Sequence, residues 1–142
     1  MKIVLIVVFL IQILNAQSMR RDNGREIVIS SQDKLMWMDT KDVVVLKKSQ
    51  ADAAQYCAKL KLAGLSGWRL PSIEEFKTIV DKNNHPTYIN KAFKYSAPMG
   101  YWSNNVKWRT LWFYADYMHF LSGTPYYDNK HKLKNVRCVR EF

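Results

Sequence analysis

The stretch "AGLSGWRLPSIEEFKTIV", residues 63–80, carries the strongest local structure signals of the 142-residue chain. Ser72 followed three residues later by Glu75 is the S-x-x-E pattern of a capping box, which predicts that a helix begins just after Ser72. Pro71 holds the approach to that helix extended, because a proline also keeps the residue before it out of the helical region. The stretch therefore predicts a corner that leads into a helix.

A second helix is predicted before this corner. Ser49 is a good N-cap, and Asp52 occupies the third helical position, where an acidic side chain supports the cap. The apolar face that follows consists of Ala53, Ala54, Cys57, Ala58 and Leu60. Gly64 suits the left-handed residue that ends many helices, so the helix is expected to end near residues 63–64.

Strand signals precede the first helix. The β-branched "EIVIS" (26–30) and the apolar "KLMWM" (34–38) predict a small hairpin with "SQDK" as its turn. The segment "DVVV" (42–45) predicts a third strand or a loop segment. The folded part of the chain is thus expected to begin with β-structure and to change to helix near Ser49.

Aromatic strands are predicted from Gly100 to the C-terminus, after a loop over residues 83–99. The strand segments are "YWSNN", "KWRTLWFYADYMHFL" and "KNVRCVREF". Side chains in residues 107–114 alternate in type, as expected of a strand with two different faces. Gly123 and Pro125 predict a turn. Together with the two helices, these segments predict a single α+β domain.

The first residues predict export. Lys2 precedes the apolar run Ile3–Leu14, and Ala16 offers a small residue for cleavage, as in a signal peptide. The apolar run has about 12 residues, whereas a membrane span needs about 20. An uncleaved anchor is the alternative to a soluble periplasmic or secreted protein without a transmembrane anchor. The predicted organisation is a signal peptide at residues 1–16, a polar lead-in at residues 17–25 and one domain at residues 26–142.

The chain has two cysteines, and Cys138 follows Cys57 by 81 positions. In the oxidising compartment that export implies, an even number of cysteines favours a disulfide between them. Closing so long a loop is worth about 4 kcal/mol in the chain-entropy model. Catalytic or metal-binding cysteines are the alternative interpretations.

Charge predicts an anionic partner. The formal net charge is +10, and it becomes +9 when Lys2 leaves with the signal peptide. Outside the cytoplasm the anions that such a chain meets are cell-wall polymers, lipopolysaccharide, acidic lipids and sulfated glycans rather than nucleic acid. The alternative is that the charge serves only solubility.

Three lysines near the C-terminus form the best candidate for an anion-binding face. Lys130, Lys132 and Lys134 are spaced by two, so an extended chain places them on one side, about 6.6 Å apart. The residues predicted to extend this face are Lys107, Trp108, Arg109, Tyr114 and Arg137. The alternative is a solvated edge strand on which lysines prevent aggregation.

The order of the motifs closely resembles the Lcl C-terminal domain family. The matching motifs are "LMW", "ADAAQYCAKLKLAGLSGWRLPSIEEF", "YIN", "YWS" and "VRCVR", and they span about residues 26–140. The family is named after the tail domain of a bacterial collagen-like adhesin, and most members have no assigned activity. The resemblance implies a C-type-lectin-like domain, in which two helices pack on mixed, mostly antiparallel strands. It also implies a disulfide between the first helix and the last strand.

The family motifs include a structural signature, which consists of Trp37, Trp68, Arg69, Pro71 and Trp102. The tryptophans are expected to pack in the core, and stacking on sugar rings is the alternative role for them. Arg69 is expected to bond backbone carbonyls or a carboxylate.

The sequence predicts no catalytic residue, cofactor or metal site. Calcium-dependent lectins carry tripeptides that ligate calcium and sugar, and the "WSNN" segment (102–105) lacks the carboxylate that calcium prefers. The related formylglycine-generating enzymes need reactive cysteines in addition to structural ones. Glu74 and Glu75 are adjacent on a predicted helix, so their side chains point about 100° apart and do not form an acid–base pair.

These expectations together predict an exported, non-enzymatic domain that binds an anionic glycan or a cell-envelope polymer. The second hypothesis is a structural or protein-interaction module whose aromatic strands pack against a partner or a second copy of the chain. Salt separates the two, because binding through lysines weakens as ionic strength rises and a hydrophobic interface does not.

Overall fold

The computed structural model describes residues 18–107 and 111–142. In chain order, the elements of these residues are β1 (Met19–Asp22), β2 (Ile27–Ser30), β3 (Leu35–Met38), α1 (Asp42–Val45), β4 (Lys47–Lys48), α2 (Gln50–Lys59), α3 (Ile73–Ile79), β5 (Gly100–Lys107), β6 (Tyr114–His119), β7 (Thr124–Asn129), β8 (Lys134–Asn135) and β9 (Val139–Glu141).

The strands form two sheets. The first has four antiparallel strands in the order β1-β2-β3-β9, and the second has five strands in the order β4-β8-β5-β6-β7. The second sheet is mixed, because β5 and β8 run parallel while its other neighbours are antiparallel. With two longer helices, this is the predicted α+β architecture of mixed, mostly antiparallel strands. The C-type-lectin-like label stays a prediction.

The predicted N-terminal hairpin is confirmed, and a further strand extends its sheet. β2 pairs with β3 so that Val28 lies opposite Trp37, as the "EIVIS" and "KLMWM" segments indicated. In addition, β1 pairs with β2, although the residues before position 26 were expected to be only a polar lead-in. A turn over residues 23–26 joins these two strands.

The segment "DVVV" forms the short helix α1, so the prediction of a strand or a loop was wrong. Distant side chains bind its carbonyl groups: Tyr101 donates its hydroxyl to the Val43 carbonyl at 2.5 Å, and the Asn135 amide donates to the Val44 carbonyl at 3.1 Å. The Val43 side chain is fully buried. β-propensity is overridden here because this burial and these bonds fit a helical turn.

Both longer helices begin as predicted, and α2 ends early. Ser49 and Ser72 each accept a hydrogen bond from the backbone three residues later, and Ser72 forms the full reciprocal capping box. α2 ends at Lys59 rather than near residues 63–64. Gly64, with φ of 70°, lies instead in a tight turn closed by hydrogen bonds between Leu62 and Leu65. Ala58, predicted on the buried face, is exposed.

A chain of aromatic rings links the two sheets through α3. Trp37 of β3 packs on Phe76 of α3 with ring centroids 5.8 Å apart, and Phe76 contacts Phe120 at the same distance. Phe120 then meets Tyr101 of β5 at 5.5 Å. All four rings are fully buried, so both sheets and α3 share one core.

The disulfide is confirmed. Cys57 on α2 and Cys138, just before β9, are bonded with an S–S distance of 2.05 Å, and both are fully buried. The described residues contain no free cysteine. The bond joins the first long helix to the first sheet, because Cys138 also accepts a backbone hydrogen bond from Met38.

The strand predicted through residues 107–114 is not present at residues 111–113, and residues 108–110 lie outside the described residues. β5 ends at Lys107, β6 begins at Tyr114, and these two residues pair across a hairpin. The turn predicted at Gly123 is present between β6 and β7, whereas Pro125 lies inside β7, on the sheet edge where the missing N–H does no harm.

Candidate functional site

The Trp68-Arg69 pair builds the corner before α3. Trp68 is almost fully buried and donates its indole N–H to the Leu65 carbonyl at 3.0 Å. Arg69 exchanges two backbone hydrogen bonds with Val139, and its guanidinium binds both carboxylate oxygens of Glu75 at 2.7 and 2.8 Å. The hydrogen bonds from Arg69 lower the pKa of Glu75. This pair therefore has the structural role that the sequence predicted.

The remaining signature residues are also in the interior. Trp37 and Trp102 are fully buried, and Trp102 donates its indole N–H to the Lys48 carbonyl at 2.9 Å. Pro71 is buried and its carbonyl accepts a hydrogen bond from the backbone of Asn104. Buried rings cannot stack on a ligand, so these tryptophans do not form a sugar site.

Arg137 does not belong to a surface, which contradicts its predicted role in an anion-binding face. Its side chain is fully buried and pairs with Asp39 at 3.3 Å. The guanidinium also donates to the carbonyls of Met38 and Tyr95. The carboxylate and the two carbonyls compensate for the buried charge, whereas the buried Nε–H of Arg137 has no hydrogen-bond partner among the described residues.

The predicted row of lysines at residues 130–134 is not an extended strand. Lys130 and Lys132 lie in the turn after β7, and Lys134 begins the two-residue strand β8. Asp128 pairs with Lys132 at 3.3 Å and with Lys134 at 3.0 Å. Burial would raise the pKa of Asp128, but hydrogen bonds led by that of Lys134 hold it below its ordinary value. Both lysines are therefore ion-paired, and the three side chains together carry one net positive charge.

Lys134 also packs between aromatic rings. Its ammonium group lies 3.9 Å from the ring centre of Tyr117 and 5.3 Å from that of Trp102. Cation–π contacts and the Asp128 pair together fix this side chain in place. Lys134 thus packs against the rings of Trp102 and Tyr117, and its ammonium group is not available to a ligand.

The predicted binding residues are split between the two faces of the second sheet. Lys107 and Tyr114 form one cross-strand pair, on the face that carries Asp116 and Tyr127. Asp128 and its lysines lie on the opposite face, because neighbouring strand residues alternate. Trp108 and Arg109 lie outside the described residues. Among the described residues of the predicted set, the structure brings Lys107 and Tyr114 together on one face, and Lys132 and Lys134 together around Asp128 on the other.

Around that pair is an exposed surface that we call the tyrosine platform, which consists of Asn105, Lys107, Tyr114, Asp116 and Tyr127. The Tyr114 and Tyr127 rings meet edge to face, 5.8 Å apart and at 90°. The Lys107 ammonium lies 5.1 Å from the Tyr127 ring centre and 3.4 Å from the Asp116 carboxylate. The Asn105 amide donates to the other oxygen of Asp116.

The platform combines accessible aromatic faces with hydrogen-bonding groups. Tyr127 is 61% exposed and Tyr114 is 37% exposed. Asp116, Lys107 and Asn105 hold one another in a fixed arrangement beside the rings, so a ligand meets donors and acceptors that are already oriented. Such a surface can stack on the flat apolar face of a sugar and bond its hydroxyl groups.

Sequence reasoning missed Asp116, Asn105 and Tyr127. Asp116 and Tyr127 lie on separate strands and meet only through the register that places them opposite each other. The alternation of residues in β7, which puts Pro125 and Tyr127 on one face, could have indicated that Tyr127 belongs to a strand. Gly, Pro and Asn flank this short segment, however, and such residues are as typical of a turn as of an edge strand.

A second cationic surface lies beside α2. Lys48, Lys59 and Lys61 line a groove of about 580 Å³, together with Tyr56 and other residues of the helix. None of the three ammonium groups has a carboxylate within ion-pairing distance among residues 18–107 and 111–142. Burial first, and then the carboxylate of Asp42, raise the pKa of Tyr56 to about 12, so its hydroxyl stays a neutral donor.

The described ranges contain neither a cluster of metal ligands nor a helix suited to span a membrane. No three or more histidine, cysteine, aspartate or glutamate side chains come together there as a metal site. No helix of residues 18–107 and 111–142 is both long and apolar enough to cross a membrane.

The model of one protein family, described as "Lcl C-terminal domain", matches residues 26–140. The chain belongs to the Lcl C-terminal domain family. This confirms the resemblance, and the match includes α2, the Trp68-Arg69 corner, α3 and most of β9. A comparison with curated proteins finds no match.

Within this Lcl C-terminal domain, the family motifs occupy the core and the corner rather than the platform. "YWS" places Tyr101 and Trp102 in the interior, and "VRCVR" contains buried Arg137 and the bonded Cys138. The motifs that identify the domain are thus motifs of its fold, and the exposed platform must be judged on its own geometry.

Proposed function

We propose that this chain is an exported, non-enzymatic domain that binds an anionic glycan or another anionic cell-envelope polymer, with the tyrosine platform as its binding surface. The observation that carries the proposal is the pair of exposed rings, Tyr114 and Tyr127, next to the fixed Lys107–Asp116 pair. An aromatic ring with one apolar face open and polar groups at its edge is suited to a pyranose ring.

The preference for an anionic polymer rests on charge. The chain without residues 1–16 carries +9, and three of its lysines line the α2 groove together with one carboxylate, that of Asp52. A positive surface raises the local concentration of an anionic polymer and speeds its association. The tyrosine platform would then orient individual sugars, while the positive charge on the rest of the protein attracts the polymer.

Export is proposed on two grounds. Residues 1–16 have the composition of a signal peptide, and a disulfide is typical of proteins in oxidising compartments. A periplasmic or secreted location would also place the domain where anionic envelope polymers are found.

A binding experiment tests the proposal directly. Oxidised protein comprising residues 17–142 is applied to an array of sulfated, phosphorylated and neutral polysaccharides at low and at physiological salt. We expect binding to anionic members that weakens with salt, and a loss of about tenfold or more in Tyr127→Ala, which removes an exposed ring. The matched control is Tyr126→Ala, an exposed tyrosine on the opposite face, which should bind normally.

Silence across the array, or equal binding by both tyrosine variants, would overturn the proposal. The second candidate would then take its place, a structural or protein-interaction module or a homo-oligomer. That candidate is favoured by the exposed apolar side chains of Leu111, Trp112, Phe113 and Leu133. Association with a protein partner or with a second copy of the chain that persists at high salt would identify this second candidate.

A further inference from the structure

Three consecutive large apolar residues project from the end of the β5–β6 hairpin, and we call them the aromatic tip: Leu111, Trp112 and Phe113. Their exposed fractions are 72%, 56% and 53%. A soluble domain normally keeps side chains of this size at least partly covered, and contiguous exposed apolar surface marks an interaction site. The aromatic tip is separate from the buried tryptophans of the family motifs.

The backbone holds the aromatic tip in a conformation that its residues disfavour. Leu111 and Trp112 have φ values of 55° and 60°, in the left-handed region that glycine and asparagine adopt with less strain. The Trp112 N–H donates to the Lys107 carbonyl at 3.2 Å, and the Lys130 N–H donates to the Phe113 carbonyl at 2.9 Å. Trp112 and Phe113 are therefore held by backbone hydrogen bonds, and the exposed side chains are presented at a cost to the backbone.

Turn formation does not explain this choice of residues. A turn at these positions would be more stable with asparagine and glycine, and water would solvate such a turn better than it solvates leucine and tryptophan. Two unfavourable features at one place indicate that the exposed side chains themselves are used.

The charge around the aromatic tip favours an anionic surface. The cations beside the tip are Lys107, which pairs with Asp116, and Lys130. Lys130 is bonded to the tip through its backbone, and Lys107 lies at the opposite end of the hairpin loop. Apolar side chains flanked by lysines are the arrangement by which peripheral proteins enter the lipid headgroup region.

We infer that the aromatic tip docks this domain onto an anionic lipid bilayer, with Leu111, Trp112 and Phe113 inserted at the headgroup boundary and lysines above the lipid phosphates. A leucine gains nothing from a hydrated sugar, whereas leucine, tryptophan and phenylalanine all partition into the bilayer interface. The inference does not rest on glycan binding by the tyrosine platform, although the two surfaces are neighbours: Phe113 precedes Tyr114, and the Trp112 N–H donates to the Lys107 carbonyl.

Vesicle binding provides the test. The protein comprises residues 17–142, which include every described strand and helix, because the apolar residues 3–14 would bind lipid by themselves. Vesicles of equal parts phosphatidylcholine and phosphatidylglycerol are compared with vesicles of phosphatidylcholine alone by co-sedimentation and by the wavelength of tryptophan emission. We expect the protein to bind the anionic vesicles with a blue shift of tryptophan emission, and we expect this binding to weaken as salt is added. Binding to the neutral vesicles should be at least tenfold weaker, because the attraction of lysines to a negatively charged surface is then lost.

The decisive variant is Leu111→Asn/Trp112→Gly, which should relieve backbone strain while it removes the apolar side chains. We expect its melting temperature to be equal to or above that of the wild type, and its partition onto anionic vesicles to fall by about tenfold or more. The matched control is Val45→Ser/Phe142→Ser, which removes two equally exposed apolar side chains elsewhere and should bind vesicles normally.

The inference is overturned if the wild type does not bind anionic vesicles, or if the Leu111→Asn/Trp112→Gly variant binds them as well as the wild type. In the second case the lysines alone hold the protein to lipid. Binding of that variant to the polysaccharide array, together with normal vesicle binding by Tyr127→Ala, would show that the two surfaces act separately. A vesicle-binding loss in Tyr127→Ala equal to that of the tip variant would contradict the separate lipid site.

Discussion

Asp39 is the buried carboxylate on which the polar interior depends. It accepts hydrogen bonds from the Arg21 side chain at 2.6 Å and from the backbone N–H groups of Lys94 and Tyr95 at 2.8 and 3.1 Å. Arg137 pairs with it from the other side at 3.3 Å. One side chain thus ties β1 and the loop before β5 to the segment that carries the disulfide.

Replacing this carboxylate should be strongly destabilising. In Asp39→Ala the buried Arg137 loses its counter-charge, so we expect the free energy of unfolding to fall by about 3–5 kcal/mol. Urea denaturation measures the change. The matched control is Glu74→Ala, which breaks an exposed pair with Lys77 and should change stability by less than about 1 kcal/mol. A loss in Asp39→Ala no larger than that of the control would contradict this account.

The Arg69–Glu75 pair predicts a dependence of stability on pH. Because Arg69 lowers the pKa of Glu75 in the folded state from its ordinary value of 4.5, the pair stabilises the fold above that pH and loses its effect as pH falls below it. Glu75→Gln keeps an acceptor for the cap and removes the charge.

We therefore expect Glu75→Gln to melt below the wild type at neutral pH, and the gap to narrow as the pH falls through the lowered pKa of Glu75, where the wild-type carboxyl becomes protonated as well. Thermal melts across this range measure the difference. A gap in melting temperature that is the same at both ends of the range would show that the charge of Glu75 does not contribute.

At the scale of elements, the two helix caps differ in a way that can be measured. The Ser72 hydroxyl accepts a hydrogen bond from the Glu75 N–H at 3.0 Å, and the Glu75 carboxylate accepts one from the Ser72 N–H at 2.9 Å. Ser49 makes a single cap bond at 3.3 Å. We expect Ser72→Ala to cost about 1 kcal/mol and Ser49→Ala clearly less, as chemical denaturation would show. The reverse order would contradict the importance of the reciprocal cap.

Elements specified by neighbouring residues were predictable, and elements specified by distant contacts were not. The capping box of α3 and the β2–β3 hairpin are local, so the sequence predicted both. α1 depends on Tyr101 and Asn135, which lie far along the chain, and no local pattern reveals them. The candidate site shows the same limit, because Asp116 and Tyr127 become neighbours only through strand register.

Charge was the least predictable feature of the site. The spacing of the lysines at residues 130–134 indicated an extended row, but the chain turns there and Asp128 binds two of them. The expectation that Arg137 would extend this row was also wrong, because the side chain is buried against Asp39, which lies 98 positions earlier in the chain. A net charge is readable from composition, whereas its pairing requires the fold.

At the scale of the whole molecule, the disulfide closes a loop of 81 positions between α2 and the last strand segment. We expect Cys57→Ala/Cys138→Ala to unfold about 4 kcal/mol more easily, mainly because the unfolded chain regains the freedom that the loop removed. Urea denaturation measures this, with wild type in excess reductant as the matched comparison. Equal stability of the bonded and unbonded forms would contradict a stabilising role.

In the whole molecule, the residues of the family motifs lie in the interior, and the candidate binding groups lie at one end of the second sheet. The buried tryptophans and the Arg69 corner stabilise the framework, and that framework fixes the register in which Lys107, Tyr114 and Tyr127 meet. Side chains on a rigid sheet are suited to recognition because little ordering remains to be done on binding.

The most direct test of the central claim is a nuclear magnetic resonance titration of isotope-labelled residues 17–142 with a sulfated dextran oligosaccharide and with its unsulfated counterpart. The account predicts saturable shifts centred on Lys107, Tyr114, Asp116 and Tyr127 for the sulfated probe, and much weaker ones for the neutral probe. Shifts confined to the lysines of the α2 groove, or no shifts with either probe, would contradict the claim that the tyrosine platform binds an anionic glycan.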